Sequence, residues 1–254
     1  MKFAANLTFM FKEFPFLDRF AEAKAAGFDA VEVLFPYDDA ASEIARRLAD
    51  LNLAMVSLNT PPPNWAGGER GFAAVPMGED RFRKDFKRAL RFADFLRSEH
   101  MLVMAGKAKG LVAQDAFKRN LTWAADEAPR QSLTIEPVNA EDMPGYFLND
   151  LEETAHLIRD IDRPNVGLQF DLYHIHRMTG DVMEAWEKHG DLVRHIQIAC
   201  PVDRGEPDKG EFAFADFFNA VKKSGYKGRV SAEYTPRKRT AEGLGWMTDL
   251  GPFI

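Results

Sequence analysis

Several features that direct a chain to particular compartments are scarce or absent in this sequence. It has a single cysteine, Cys200, in 254 residues, so no disulfide framework can form within the chain and a reducing compartment is expected. No run approaches the roughly 18 consecutive apolar residues that a membrane span requires. The first 16 residues include charges and lack a long apolar core, so they do not resemble a signal peptide. We therefore expect a cytoplasmic protein with no membrane partner.

An excess of basic residues is also absent. The chain has 33 lysines and arginines against 39 acidic residues, which gives a net charge of -6. A nucleic-acid partner calls for a basic face, so none is expected. The hydrophobic fraction of 46% is enough to bury a large core, and the length suits one barrel-sized domain over residues 1–254.

Short apolar runs alternate with longer amphipathic segments along the whole chain, which is typical of alternating strands and helices. Helical spacing is evident where Phe16, Phe20 and Ala23 recur, and again at Ile44, Leu48 and Leu51, and Gly27 and Gly225 are placed to end helices. The predicted strands number eight: 3–7, 30–35, 54–60, 100–106, 133–139, 166–174, 194–199 and 229–236.

Alternating strands and helices fit either a closed barrel or an open doubly wound sheet. An open sheet of the dinucleotide-binding type would place a glycine-rich phosphate loop after the first strand, and the segment FAANLTFMF has no glycine. The sequence therefore predicts a single-domain α/β fold, a (β/α)8 TIM barrel, with its chemistry at the carboxyl ends of the strands.

Polar residues follow late in each of the last four predicted strands. They are Glu136, Asp171, Gln197 and Glu233. Unpaired buried carboxylates are costly and repel one another, and a divalent cation relieves both problems. Carboxylate and amide oxygens favour Mg²⁺ or Mn²⁺ over zinc. We interpret the four residues as one metal site, although a single acidic residue at a strand end is more often a helix cap or an ion-pair partner.

Further polar residues lie near the same predicted strand ends. His174 is placed to bind a substrate oxygen or to serve a structural role, and Arg204 is placed to bind a carboxylate or to remain solvated. Asn139, Asp142 and Asn59 are candidate substrate contacts or supports. Glu32, within the second strand, is either a buried ion-pair partner or part of the site.

The segment NWAGGERG, residues 64–71, is a glycine-rich loop expected at the same face of the barrel. It is either a lid that brings Glu69 and Arg70 to a substrate or a flexible surface loop.

Taken together, these motifs resemble one known family. The matching segments are NLTFMF, VEVLFPYD (31–38), NWAGGERG, IEPVN (135–139), QFDLYHIHRM (169–178), HIQIA (195–199), RGEPDKGE (204–211) and AEYTP (232–236). They resemble the hydroxypyruvate isomerase family, including its 2-oxo-tetronate isomerase sister group, among the xylose isomerase-like barrels. The resemblance extends to about Met247.

The resemblance implies a metal-dependent isomerase with Glu136, Asp171, Gln197 and Glu233 as the metal ligands. Glu136 and Glu233 would also be the catalytic proton donor and acceptor. IEPVN and the GERG loop resemble the hydroxypyruvate group, whereas VMAG (103–106) and LNT (58–60) resemble the tetronate group. The segment 107–115 looks short for the family, so a substrate contact there is not expected.

The expected reaction is the conversion of hydroxypyruvate to tartronate semialdehyde, with a 2-oxo-tetronate as the alternative substrate. A ketosugar 3-epimerase, an endonuclease IV-type nuclease and a non-catalytic binding module are the remaining alternatives. A nuclease of that type would require a histidine-rich site, and this chain has six histidines. The sequence leaves open the native metal, the role of the tail 248–254 and whether the chain forms a homo-oligomer.

Overall fold

Parallel strands and surrounding helices make up the computed structural model, which describes residues 2–62, 64–208 and 212–253. The last three residues of the RGEPDKGE motif and the final residue of the tail lie outside these ranges. The strands are β1 (Phe3–Asn6), β2 (Ala30–Glu32), β3 (Ala54–Met55), β4 (Ser57–Asn59), β5 (His100–Leu102), β6 (Ser132–Ile135), β7 (Val166–Asp171), β8 (Val193–Ile198) and β9 (Val230–Ala232).

Nine helices of the α type are seen in the described part of the chain. They are α1 (Arg19–Ala25), α2 (Ala41–Asp50), α3 (Glu79–Leu96), α4 (Leu111–Glu127), α5 (Leu151–Ile161), α6 (Leu172–Thr179), α7 (Val182–His189), α8 (Phe214–Lys223) and α9 (Gly245–Leu250). The positive φ angles of Gly27 (96°) and Gly225 (83°), just past α1 and α8, confirm their prediction as helix-ending residues.

The sheet closes into a barrel, as predicted. Its order is β3-β2-β1-β9-β8-β7-β6-β5-β4, and β3 and β4 are two pieces of the third predicted strand. Val56, which separates them, donates its backbone N–H to the Val31 carbonyl at 2.8 Å. Because one piece pairs with β2 and the other with β5, the ring of eight barrel strands has no free edge.

Most predicted strands are shorter in the structure; β2, for example, covers 30–32 of the predicted 30–35, and β5 covers 100–102 of the predicted 100–106. At β7 a polar side chain ends the strand. The predicted run 166–174 stops at Asp171, whose carboxylate accepts the Tyr173 backbone N–H at 2.8 Å and begins α6. The strand prediction for 172–174 was therefore wrong, since an aspartate at this position caps a helix. Similarly, β6 ends at Ile135, so Glu136 lies just beyond the strand.

The core between strands and helices is rich in phenylalanine, whereas the barrel interior is partly polar. Phe20, Phe86 and Phe217 are fully buried. The C-terminal α9 packs Trp246 against Phe3, with ring centroids 4.8 Å apart. Inside the barrel, the side chain of Glu32 meets that of His195, and this polar layer supports the strand ends above it. In the described ranges no helix is both long enough and apolar enough to cross a bilayer.

Candidate active site

A cavity of about 270 Å³ opens at the carboxyl ends of the strands. Its lining combines apolar side chains with acidic and basic ones. The lining residues are Phe9, Leu34, Phe35, Asn59, Trp65, Arg70, Leu102, Met104, Glu136, Val138, Asp142, Met143, Tyr146, His174, Arg204 and Glu233. An apolar cavity with a few convergent polar groups is the usual form of a small-molecule site.

Two of the predicted strand-end carboxylates, Glu136 and Glu233, line this cavity, and the third, Asp171, is buried beside them. Glu136 and Glu233 are 7% and 5% exposed, and Asp171, at the end of β7, is 1% exposed. One ligand atom from each of Glu136, Asp171 and His174 fits within a mutual distance of 4.8 Å. This group is able to hold a cation. The group includes His174, which the sequence analysis predicted to bind a substrate oxygen or to serve a structural role.

Asp171 has one satisfied and one unsatisfied oxygen. Its Oδ1 accepts the Tyr173 N–H that begins α6, whereas its buried Oδ2 has no hydrogen-bond partner in the described part of the chain. Oδ2 lies 3.7 Å from both His174 Nε2 and Arg204 Nη2. A buried, unpartnered carboxylate oxygen is costly unless a charged group binds it. The donor set therefore fits a divalent cation.

The side chain of Gln197 joins the carboxylates to a layer of polar groups below them. Its Nε2 donates to Glu32 Oε1 at 2.5 Å and to Glu233 Oε2 at 2.6 Å. The Oε1 atom of Gln197 accepts from Gln169 Nε2 at 2.8 Å, and this Gln169 nitrogen also donates to Glu136 Oε2. Gln197 thus contacts Glu233 directly and is connected to Glu136 through Gln169.

The carboxylates of this network titrate abnormally. Burial, followed by repulsion from Asp171 and Glu233, raises the pKa of Glu136 well above its ordinary value. Burial raises the pKa of Glu233 as well, and the nearby Arg204 only partly opposes it. The pKa of Glu32 rises to about 7, again chiefly through burial. Burial and mutual repulsion thus favour the protonated form of these carboxyl groups.

Arg204 provides the positive charge at the mouth of the site. Its Nη2 donates to Glu233 Oε1 at 2.9 Å, and its guanidinium lies 4.9 Å from the centre of the Tyr173 ring. Its side chain is 23% exposed. Arg204 therefore faces the cavity rather than bulk solvent, as expected for a residue that binds an anionic ligand.

His174 is held from behind by Asn139. The Oδ1 atom of Asn139 accepts the Asp142 backbone N–H, so its amide nitrogen faces His174 Nδ1, 2.8 Å away, as a donor. Burial lowers the pKa of His174 to about 4, so the ring is neutral at physiological pH. Arg204 Nη2 lies 3.3 Å from His174 Nε2, and because a guanidinium only donates, it competes with Asn139 for the single acceptor nitrogen of the neutral ring. The shorter Asn139 contact assigns the acceptor to Nδ1 and the proton to Nε2, which lies 3.7 Å from Asp171 Oδ2.

The loop 64–71 reaches the cavity through only one of its two predicted residues. The Arg70 guanidinium lies 3.7 Å from the centre of the Trp65 ring, and both side chains line the cavity. Glu69 instead accepts the Asn64 backbone N–H at 2.8 Å and stabilises the loop itself. Asn59 lines the cavity, and its buried Oδ1 atom has no hydrogen-bond partner within residues 2–62, 64–208 and 212–253.

Sequence reasoning missed two supporting residues. Asn6, at the end of β1, donates from Nδ2 to Glu233 Oε2 at 2.8 Å and to Glu32 Oε1 at 3.0 Å. Gln169 bridges Glu136 and Gln197. Its position two residues before Asp171 on one strand was the available signal, because alternate residues of a strand share a face.

Comparison with known proteins places this geometry in context. Residues 20–250 match the model of the xylose isomerase-like TIM barrel family. A 2-oxo-tetronate isomerase from Cupriavidus necator is 42% identical over 97% of this chain and 97% of its own. A hydroxypyruvate isomerase from Escherichia coli is 36% identical over 97% of this chain and 98% of its own.

A solved structure also resembles the chain over nearly its whole length. It is described as an AP endonuclease, family 2, from Brucella melitensis, with a TM-score of 0.95, 43% sequence identity and 98% coverage of both chains. A D-psicose 3-epimerase from Clostridium cellulolyticum has a TM-score of 0.78 at 15% identity, with 96% of this chain and 89% of its own covered. The second likeness concerns the fold alone.

Proposed function

This chain belongs to the xylose isomerase-like TIM barrel family and is an isomerase of the hydroxypyruvate isomerase type, and we propose that it acts on a small hydroxy-carbonyl acid with a divalent cation. The reaction moves one proton from a carbon to the neighbouring carbon and one from the hydroxyl oxygen to the former carbonyl oxygen, through an enediolate. The observation that carries this proposal is that Glu136, Glu233 and Arg204 line one cavity, with the buried Asp171 carboxylate 3.7 Å from Arg204.

The cation-binding residues are proposed to be Glu136, Asp171, Gln197 and Glu233. The unpartnered Oδ2 of Asp171 supports this set. Oxygen ligands of this kind suit Mg²⁺ or Mn²⁺. The side-chain oxygen of Gln197 faces Gln169 and its amide nitrogen faces Glu233. Gln197 can therefore bind the cation through its oxygen only after its amide group flips. A cation bound here supplies positive charge that polarises the substrate carbonyl and stabilises the enediolate.

His174 is assigned to the substrate, although its ring lies close enough to join the ligand group. The Asn139 amide donates to Nδ1, so the Nε2–H of the neutral ring is a hydrogen-bond donor rather than a metal ligand. It is placed to hold a substrate oxygen that gains negative charge during proton transfer.

Glu136 and Glu233 are proposed to carry the proton. They extend from β6 and β9, on opposite sides of the two intervening strands, so that one takes the proton from carbon and the other returns it to the neighbouring carbon. A positioned acid or base contributes about 10²- to 10⁴-fold to the rate.

Arg204 and Arg70 are proposed to bind the substrate carboxylate, and Asn59 a hydroxyl. Arg204 is already within 2.9 Å of Glu233 Oε1, so a carboxylate that binds it lies beside the reacting carbons. The apolar lining residues, which include Leu102, Met104 and Val138, limit the access of water to a bound substrate and so strengthen these polar contacts. We propose structural roles for Glu69 and Asn139 in place of the predicted substrate contacts.

Hydroxypyruvate, converted to tartronate semialdehyde, is the proposed substrate, with a 2-oxo-tetronate as the direct alternative. The 42% identity to a 2-oxo-tetronate isomerase and the 36% identity to a hydroxypyruvate isomerase support both. An endonuclease, as the solved relative is described, would need several zinc ions and a basic face. The described ranges offer one candidate cation group with a single histidine, and the net charge is -6.

The experiment that tests the proposal is a proton NMR assay in deuterated buffer. Hydroxypyruvate and a 2-oxo-tetronate are each supplied with Mg²⁺, Mn²⁺ or a chelator. We expect conversion of one acid, deuterium entry at carbon and loss of both with chelator. A ketosugar converted in place of either acid would refute the substrate class, and metal binding without any turnover would favour a binding module.

A further inference from the structure

The loop that carries Arg204 has an unfavourable backbone conformation at that residue. Arg204 has a φ angle of 56°, in the left-handed region that non-glycine residues seldom adopt. Its N–H donates to the Cys200 carbonyl at 3.0 Å, and its own carbonyl accepts the Thr235 N–H at 2.9 Å. Such a conformation persists only where surrounding contacts hold it, so the loop needs a restraint outside the cavity.

Arg237 contacts the loop on both sides of Arg204. Its Nε and Nη2 atoms donate to the two carboxylate oxygens of Asp203 at 2.7 and 3.1 Å. Its Nη1 donates to Asp208 Oδ1 at 3.0 Å and lies 3.2 Å from Glu206 Oε2. One guanidinium thus joins three acidic residues, one just before Arg204 and two after it.

The backbone strengthens this arrangement. The Arg237 N–H donates to Glu206 Oε1 at 3.1 Å, and Asp203 Oδ1 also accepts the Gly205 N–H at 2.9 Å. Hydrogen bonding from Arg237 holds the pKa of Asp203 well below its usual range. Without this cation, three carboxylates on a short loop would repel one another. Arg237 is 40% exposed, whereas the Glu206 side chain is only 4% exposed. Loss of the guanidinium therefore leaves the buried Glu206 carboxylate with the backbone N–H of residue 237 as a donor.

We infer that Arg237 is a positioning residue: its forked contacts with Asp203, Glu206 and Asp208 hold the loop so that Arg204 points at Glu233 and the substrate. Arg237 follows β9 and lies four residues after Glu233. Its contacts with the loop therefore connect the same two segments that the Arg204–Glu233 hydrogen bond connects inside the cavity. Arg237 itself does not line the cavity. This inference rests on the proposed function for its kinetic test but not for its structural one.

The structural test is amide hydrogen exchange of the resting protein, which requires no substrate. Arg237→Gln is expected to speed exchange of the Cys200, Arg204 and Thr235 amides by about tenfold or more. Lys238→Gln, which removes one positive charge from the neighbouring exposed position, is the matched control. Unchanged exchange in Arg237→Gln would overturn the inference, even if the protein proved to have another activity.

The kinetic test is a double-mutant cycle with Arg204→Gln. Alone, Arg237→Gln is expected to lower kcat/KM about tenfold or more, mostly through KM. In the Arg204→Gln background, Arg237→Gln should have little further effect, because the guanidinium that Arg237 positions is no longer present. An equal loss in both backgrounds would refute the positioning role.

A lysine at position 237 separates geometry from charge. Arg237→Lys keeps the charge but not the planar fork, and we expect it to behave like Arg237→Gln in both measurements. Full recovery with lysine would show that charge alone suffices and would overturn the forked contact. A wild-type protein inactive with every hydroxy-carbonyl acid would refute the proposed function, and the exchange measurement would still decide the role of Arg237.

Discussion

Replacement of Asp171 by asparagine separates metal binding from folding. The Oδ1 atom of Asp171 caps α6 by accepting the Tyr173 N–H at 2.8 Å, and asparagine is an equally good cap. The other oxygen, Oδ2, is buried, has no hydrogen-bond partner among the described residues and lies 3.7 Å from Arg204 Nη2. Asparagine replaces one of the two carboxylate oxygens and removes the charge. The Asp171→Asn protein should therefore fold with a melting temperature close to that of the wild type in the absence of metal.

The expected loss is in the response to metal. A cation at 100 times its dissociation constant stabilises the wild type by about 2.7 kcal/mol. In a domain of this size each kcal/mol raises the melting temperature by about 2–4 °C, so Mg²⁺ or Mn²⁺ should raise it by about 5–10 °C. The same concentration should move the Asp171→Asn protein by less than about 2 °C, and turnover should fall by at least about 100-fold.

Thermal unfolding with and without metal is the assay, and Asp181→Asn is the control. Asp181 caps α7 by accepting the Glu184 N–H at 2.9 Å, so this change alters a helix cap in the same way but outside the cavity. It should retain the full metal response. If metal stabilised the Asp171→Asn protein as much as the wild type, Asp171 would not be a ligand and the proposed cation site would be wrong.

Three further predictions concern single side chains. Glu136→Gln should keep the fold, because its amide oxygen can still accept from Gln169, but it should lower kcat by about 10²- to 10⁴-fold in the NMR assay; near-normal turnover would exclude Glu136 as acid or base. Trp65→Ala removes the ring beneath Arg70, and a cation–π contact of about 0.5–1 kcal/mol predicts a KM about two- to fivefold higher with kcat unchanged. Burial, with a smaller effect of His195, lowers the pKa of His100 from 6.5 to about 3. As the pH falls, the unfolded chain therefore binds this proton at a higher pH than the folded protein does, and stability is lost below pH 6.5. Relative to His100→Asn, the wild type should lose up to about 1.4 kcal/mol per pH unit between pH 6.5 and 4.5 in urea unfolding, and parallel curves would contradict the shift.

Local patterns were sufficient for the fold and for part of the site. The alternation of apolar runs with amphipathic segments predicted the barrel, because each pattern period fixes the type of element. The late polar residues of the last four strands predicted which side chains meet, because parallel strands of a barrel bring their carboxyl ends to one face. The boundary at Asp171 was missed because the same aspartate ends a strand and begins a helix.

The sequence by itself determined the barrel, the face that carries the chemistry and the residues Glu136, Asp171, Gln197 and Glu233 as neighbours. Only the tertiary structure decided which atoms face each other. The Asn139 amide determines which nitrogen of His174 carries the proton, and Arg237 reaches across from the segment after β9 to hold the loop of Arg204. The two contacts join residues that are 35 and 34 positions apart in the sequence, and side-chain orientation at that separation depends on packing, which no local pattern encodes.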